Sequence, residues 1–132
     1  MKTKIYTDKE IEYLSKNKFV TKILYKRSIE YSNVFKLWTV LQKIKYPEKT
    51  ARDIFEEAGF NTKLMNSKLP QARIRAWYLC YERYGFEYFI STSTITKMKD
   101  DCLNQIINNS KTLEDKIYNK IVLEIYQMLG GK

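Results

Sequence analysis

The chain has 132 residues and carries 24 Lys and Arg against 15 Asp and Glu, a formal net charge of +9. Its 44% of hydrophobic residues suffice for the core of one ordinary domain, and so large a basic surplus suggests a polyanionic partner. The absence of His excludes His-based catalytic triads and most metal sites. Cys80 and Cys102 alone cannot make a four-ligand zinc site, and we expect two reduced thiols.

The N-terminal stretch MKTKIYTDKE has no hydrophobic signal core, and no apolar run is long enough to span a membrane. We therefore expect a cytoplasmic protein with no membrane partner. No sequence motif indicates a cofactor, a metal ion or a small-molecule ligand.

The basic surplus is confined to one part of the chain. Residues 1–85 hold 18 of the basic and 9 of the acidic side chains, whereas residues 86–132 are neutral overall. A Ser/Thr cluster at residues 91–94 marks a boundary. The asymmetry predicts a basic binding domain over residues 1–90 and a helical segment over 91–132 that packs or dimerises.

The first half of the chain reads as helices around one irregular stretch. Thr7 caps a first helix, with a Glu three residues on that completes a capping box. Residues 19–31 are rich in β-branched and aromatic side chains, which predicts a short extended segment, for instance a hairpin. Ser32 then caps a second helix that ends near Lys45, because the position before Pro47 disfavours helical geometry.

A short helix, a connector and a longer basic helix follow. Thr50 caps the short helix and Gly59 ends it, since a positive φ is favoured there. Residues 61–68 form a polar connector. Pro70 opens the longer helix, and Gly85 stops it.

Two amphipathic helices are predicted in the last third, over residues 95–107 and 112–129, with a turn at 108–110. Tyr118 and Ile125 belong to an apolar stripe on the second helix that is wider than a coiled-coil seam. This helical hairpin either folds back on the first domain or forms a homodimer through residues 112–129.

The order of short helix, turn and longer basic helix is typical of a helix-turn-helix, whose second helix lies in the DNA major groove. Lys68, Gln71 and Arg75 recur at i, i+3 and i+7 and share one outer face of the long helix. Gln suits adenine and Arg suits guanine by bidentate hydrogen bonding. The buried face opposite is predicted to comprise Leu69, Ala72, Ala76, Trp77 and Cys80.

Further basic and aromatic residues flank that face or lie in the irregular basic stretch. The complete set of predicted DNA contacts is Lys63, Lys68, Gln71, Arg73, Arg75, Tyr78, Arg52, Lys22, Lys26 and Arg27.

The stretch from Leu14 to Tyr84 carries a resemblance to a known family, in residues 17–20, 29–36, 51–60 and 73–77 and in Tyr84 near its end. It resembles the helix-turn-helix domain of clostridial-type proteins related to the small first-frame DNA-binding proteins of insertion-sequence transposases. The resemblance covers about half of the chain. It implies that residues 51–60 form the supporting helix and that the helix near Trp77 reads DNA. Ala76 departs from the family, which usually has a basic residue before the Trp.

Together these observations predict an all-α protein with a helix-turn-helix domain and a C-terminal helical hairpin, which binds double-stranded DNA without catalysis. Asp53 and Glu57 share an exposed helix side near Arg52 and Lys49, which favours ion pairing with these cations or simple solvation over metal or acid–base chemistry. The chain is also too short for a transposase catalytic domain. We expect a sequence-specific transcription regulator or an accessory factor in DNA mobility, replication or plasmid maintenance. The alternative is a helical adaptor for an acidic protein; RNA binding is a third reading, weakened because no RNA-binding module is recognisable.

Overall fold

The computed structural model describes residues 5–107 and 112–129, with the backbone only for 105–107, so the turn predicted at 108–110 lies outside the described residues. Most described residues are helical. The helices are α1 Asp8–Ser15, α2 Asn33–Lys45, α3 Ala51–Glu57, α4 Leu69–Tyr84, α5 Thr92–Ile107 and α6 Leu113–Met128. Single turns of 3-10 helix precede α4 and follow it, at Thr62–Leu64 and Phe86–Tyr88.

The prediction of an all-α fold is wrong in one place. Strands β1, Val20–Leu24, and β2, Ser28–Tyr31, pair antiparallel as a hairpin between α1 and α2. This confirms the extended segment expected near residues 19–31, where β-branched and aromatic residues favour a pleated, half-buried surface over a helix.

Local signals set most helix ends. The hydroxyl of each predicted cap accepts a hydrogen bond from the backbone N–H three residues on, and these caps are Thr7, Ser32, Thr50 and Thr112. Gly59 follows α3 with a φ of 92°, and a Cβ added there would come within 3.2 Å of Ile117 Cδ1. Only glycine satisfies both conditions without strain.

The core is an aromatic cluster built around α2. Phe35 lies 5.0 Å from Phe55 of α3, ring centroid to ring centroid, and 5.8 Å from Trp77 of α4. Trp77 also stacks parallel to Phe55 and meets Tyr31 of β2 edge-on at 5.4 Å. Helix α4 is therefore seated against α2, α3 and the hairpin at once.

The C-terminal helix packs back onto α2. Ile121, Val122 and Ile125 of α6 are buried in the same core as the residues of α2. Glu124 accepts hydrogen bonds from Trp38 Nε1 at 2.9 Å and from Gln42 Nε2. The apolar stripe of α6 is thus covered by the chain itself, and residues from both sides of the boundary predicted at residue 90 share one core.

Cys80 is half-buried and Cys102 is buried, and the two are not joined by a disulfide. Over the two described ranges, no helix combines the length and the hydrophobicity needed to cross a membrane.

Candidate nucleic-acid interface

Helix α4 turns to the core only part of the face that was predicted, since Trp77 is buried and Leu69 and Cys80 are half-buried against the core. Pro70, Ile74 and Trp77 are buried, whereas Ala72 and Ala76 are exposed. The predicted buried face is therefore wrong for the two alanines. A buried isoleucine or tryptophan removes far more apolar surface from water than an alanine does, so the larger side chains decide how the helix is rotated.

The outer face of α4 carries two of the residues predicted to read DNA, Gln71 and Arg75, and the third, Lys68, immediately precedes the helix. All three are exposed. Within the described part of the chain, none of the three side chains makes a hydrogen bond or an ion pair. They present unengaged donors on a helix whose opposite face is fixed in the core.

One edge of this face borders a groove of about 960 Å³ between α4 and the segment that joins α2 to α3. Ile44, Ala51 and Ile74 contribute apolar walls, and Ile44 is 48% exposed. The groove brings together four of the ten predicted contact residues, namely Arg52, Gln71, Arg75 and Tyr78.

Two lysines at this groove are engaged by the fold. Lys43 Nζ donates to the carbonyl oxygens of Pro47 and Lys49, the latter at 2.7 Å. Lys49 Nζ pairs with Glu57 at 2.8 Å and donates to Gln42 Oε1. Both cations hold the α2–α3 segment in place, which leaves Arg75 as a cation whose charge is available to a partner.

Arg52 braces the connector before α4. Its Nε donates to Thr62 Oγ1 at 3.1 Å, and the buried Thr62 hydroxyl donates to Glu56 Oε2 at 2.5 Å. The guanidinium of Arg52, which was predicted to contact DNA, is therefore already engaged in a hydrogen bond that holds the connector. The connector spans residues 58–68, which is longer than the roughly 3–4-residue turn of a compact helix-turn-helix. Lys63 is exposed within it.

Arg73 lies on the other flank of α4 from the groove. It is half-buried, near the phenols of Tyr6 and Tyr31. Burial raises the pKa of both phenols, and the positive charge of Arg73 partly opposes that rise. Arg73 is thus separated from Gln71 and Arg75 and belongs to the side of α4 that meets the hairpin.

The predicted basic stretch is the hairpin. Lys22 pairs with Glu30 at 3.6 Å, and Lys26 pairs with Asp8 at 3.0 Å. Arg27 is exposed beside them. Lys22, Lys26 and Arg27 are therefore all exposed on the hairpin, and the first two are engaged in ion pairs.

The hairpin tip carries an exposed aromatic residue that was not among the predicted contacts. Tyr25 is 89% exposed and, like Lys26, has a positive φ, 52° and 57° respectively. The backbone N–H of Arg27 donates to Leu24 O at 2.9 Å and closes the turn. Hairpin turns of this geometry favour Asn-Gly or Asp-Gly, so the pair Tyr-Lys gave no local signal.

Comparison with protein-family models, with curated proteins and with solved structures found no match to this chain. In the part of the chain that the structure describes, no three potential metal-ligating side chains are grouped.

Proposed function

We propose that the protein binds double-stranded DNA, with α4 as the reading helix in the major groove. The observation that supports this most directly is the exposed face of Lys68, Gln71 and Arg75, whose donors have no partner within the described residues. Side chains of this kind recognise base edges and phosphates. The role would be that of a cytoplasmic, non-catalytic transcription regulator or of an accessory factor in DNA mobility, replication or plasmid maintenance.

The rigidity of α4 also supports this proposal. Trp77 is stacked on Phe55, and Ile74 is buried beside it. A helix fixed in this way presents Gln71 and Arg75 in a constant orientation, so that little conformational entropy is lost on binding.

The groove supports a second candidate, an adaptor for an acidic protein. Ile44 is unusually exposed for an isoleucine, and Arg75 lies at the same groove. An acidic amphipathic helix would cover the former and pair with the latter. One binding experiment separates the two functions, because an adaptor would not bind duplex DNA and would retain its protein partner.

A homodimer through residues 112–129 remains part of the proposal, but only the outer side of α6 is left to form its interface. Ile121 and Ile125 are already buried, so a second copy would have to contact the outer side of α6. Leu113, exposed at the start of that helix, is such a position. A symmetric pair would place two reading helices about one DNA turn, roughly 34 Å, apart.

The basic surplus of residues 1–85 makes the affinity for duplex DNA depend on salt. If about five phosphates are neutralised, log K should fall against log salt with a slope of about −4 to −5, because condensed counterions are released on binding. Fluorescence anisotropy of a labelled duplex, titrated at several salt concentrations, measures the slope. A flat response would contradict nucleic-acid binding.

Arg75 is expected to read a base. Replacing it by Ala should weaken specific binding by about 1–3 kcal/mol and relax the preference at one base position, because a bidentate contact is lost. Selection of bound fragments from a random duplex pool, performed with the wild type and the variant, identifies that position.

A matched control is Arg83→Ala, which removes the same charge from an exposed position in the last turn of α4. Lys22→Ala and Lys26→Ala should weaken all sequences evenly. Equal losses on specific and random duplex for Arg75→Ala would show that Arg75 does not read a base.

A further inference from the structure

The hairpin tip combines an exposed aromatic ring with a strained backbone, and each of these features lowers the stability of the protein on its own. Tyr25 is the most exposed of the large hydrophobic side chains described, at 89%, and its φ of 52° is one that a bulky residue rarely adopts. Gly or Asn at this position would relieve the backbone strain and remove an aromatic ring from solvent. Strain of this kind concentrates at functional positions.

The tip is held in place by its neighbours. The backbone N–H of Tyr6 donates to Lys26 O at 2.7 Å, and the ammonium group of Lys26 pairs with Asp8. These contacts fix the turn to the start of α1. Tyr25 is consequently presented on a supported element and not on a loose loop.

Tyr6 and Tyr31 connect the hairpin to the flank of α4. Tyr6 is buried close enough to Arg73 for that charge to oppose the rise that burial causes in the pKa of its phenol, and Tyr31 at the base of β2 packs against Trp77. Strand β2 extends about 10 Å from Tyr31 to the turn. The hairpin therefore projects beside α4, on the side opposite the groove.

The charge near the tip points to a polyanion. Lys26 and Arg27 follow Tyr25 directly in the turn, and Lys22 lies on β1 two residues before the turn. Lys22 and Lys26 each pair with one carboxylate, of Glu30 and Asp8 respectively. Ion pairs as exposed as Lys26 with Asp8 contribute little to stability and are readily exchanged for a phosphate. An aromatic ring among cations is the combination with which proteins contact bases and backbone together.

We propose that the hairpin tip is a second DNA contact, and that Tyr25 enters the minor groove next to the major groove occupied by α4. This proposal rests on the proposed function and adds an element to it. Lys26 and Arg27 would pair with the phosphates on either side, while the ring of Tyr25 covers sugar and base edges.

The variant Tyr25→Asn tests this, because Asn tolerates the positive φ. We expect it to melt at the same or a higher temperature than the wild type, yet to bind a fluorescein-labelled, mixed-sequence duplex of about three helical turns roughly tenfold more weakly. Tyr25→Phe should keep the affinity. In a hydroxyl-radical footprint, Tyr25→Asn should lose the protection of minor-groove sugars at one edge of the site.

The control Tyr88→Asn removes an exposed aromatic ring outside the proposed interface. If Tyr25→Asn binds and protects DNA as the wild type does while Arg75→Ala weakens binding, the hairpin contact is overturned and the proposed function stands. If the wild type itself binds no duplex, the proposed function fails and the hairpin contact fails with it.

Discussion

Replacing Ile125 by Asp should unfold most of the protein. Ile125 is fully buried in α6, so the substitution leaves a cavity and places a carboxylate among apolar side chains. We expect a loss of at least about 4 kcal/mol in the free energy of unfolding, which is most of the stability of an ordinary domain. Thermal and urea melts followed by circular dichroism measure it.

Gln127→Asp is the matched control, since it adds the same charge to an exposed position of the same helix. It should change stability by no more than about 0.5 kcal/mol. Sedimentation of both variants reports on association. A folded, stable Ile125→Asp monomer obtained from a wild-type dimer would mean that α6 dimerises and that its packing on α2 is not what keeps the protein folded.

Alkaline pH should destabilise the protein through Tyr31. Burial raises the pKa of this phenol above its ordinary value of about 10, so folding favours the neutral form. The stability that depends on the neutral phenol is therefore complete below about pH 10 and is lost as the pH rises further. In that range each pH unit should cost up to about 1.4 kcal/mol.

Tyr31→Phe isolates this effect. The Tyr31 hydroxyl is buried and has no hydrogen-bond partner among the residues described, so its removal should cost little at neutral pH. Above about pH 10 the variant should be more stable than the wild type. Tyr84→Phe, at an exposed position, should melt as the wild type does at every pH. Equal alkaline destabilisation of wild type and Tyr31→Phe would contradict the assignment.

The ends of the helices could be predicted from the sequence wherever they are set by hydrogen bonds between residues close together in the chain. Thr50 and Thr112 cap their helices through hydroxyl groups three residues from the bonded N–H, a spacing that can be read directly. The start of α5 was predicted too late, at residue 95 and not at Thr92. Ser91 provides the cap, accepting from Thr94 N at 3.2 Å, but it stands in a run of Ser and Thr that offers several equivalent caps.

The site was predicted less completely, because its shape depends on contacts between distant segments. The spacing of Gln71 and Arg75 placed them on one face, and the two-residue offset of Arg73 from each already turns it away from that face. Its half-buried position follows from Tyr6 and Tyr31, far away in sequence. The groove between Ile44 and Ile74 likewise exists only once α2 and α4 have packed together.

The hydrogen bond from Trp38 to Glu124 joins residues 86 positions apart. Closing the loop between them costs conformational entropy before the hydrogen bond and the packing around it are gained. During synthesis, α2 would emerge long before the helix that covers it. Until α6 arrives, the side of α2 that carries Trp38 and Gln42 is uncovered, and α4 is seated on a core that is not yet closed.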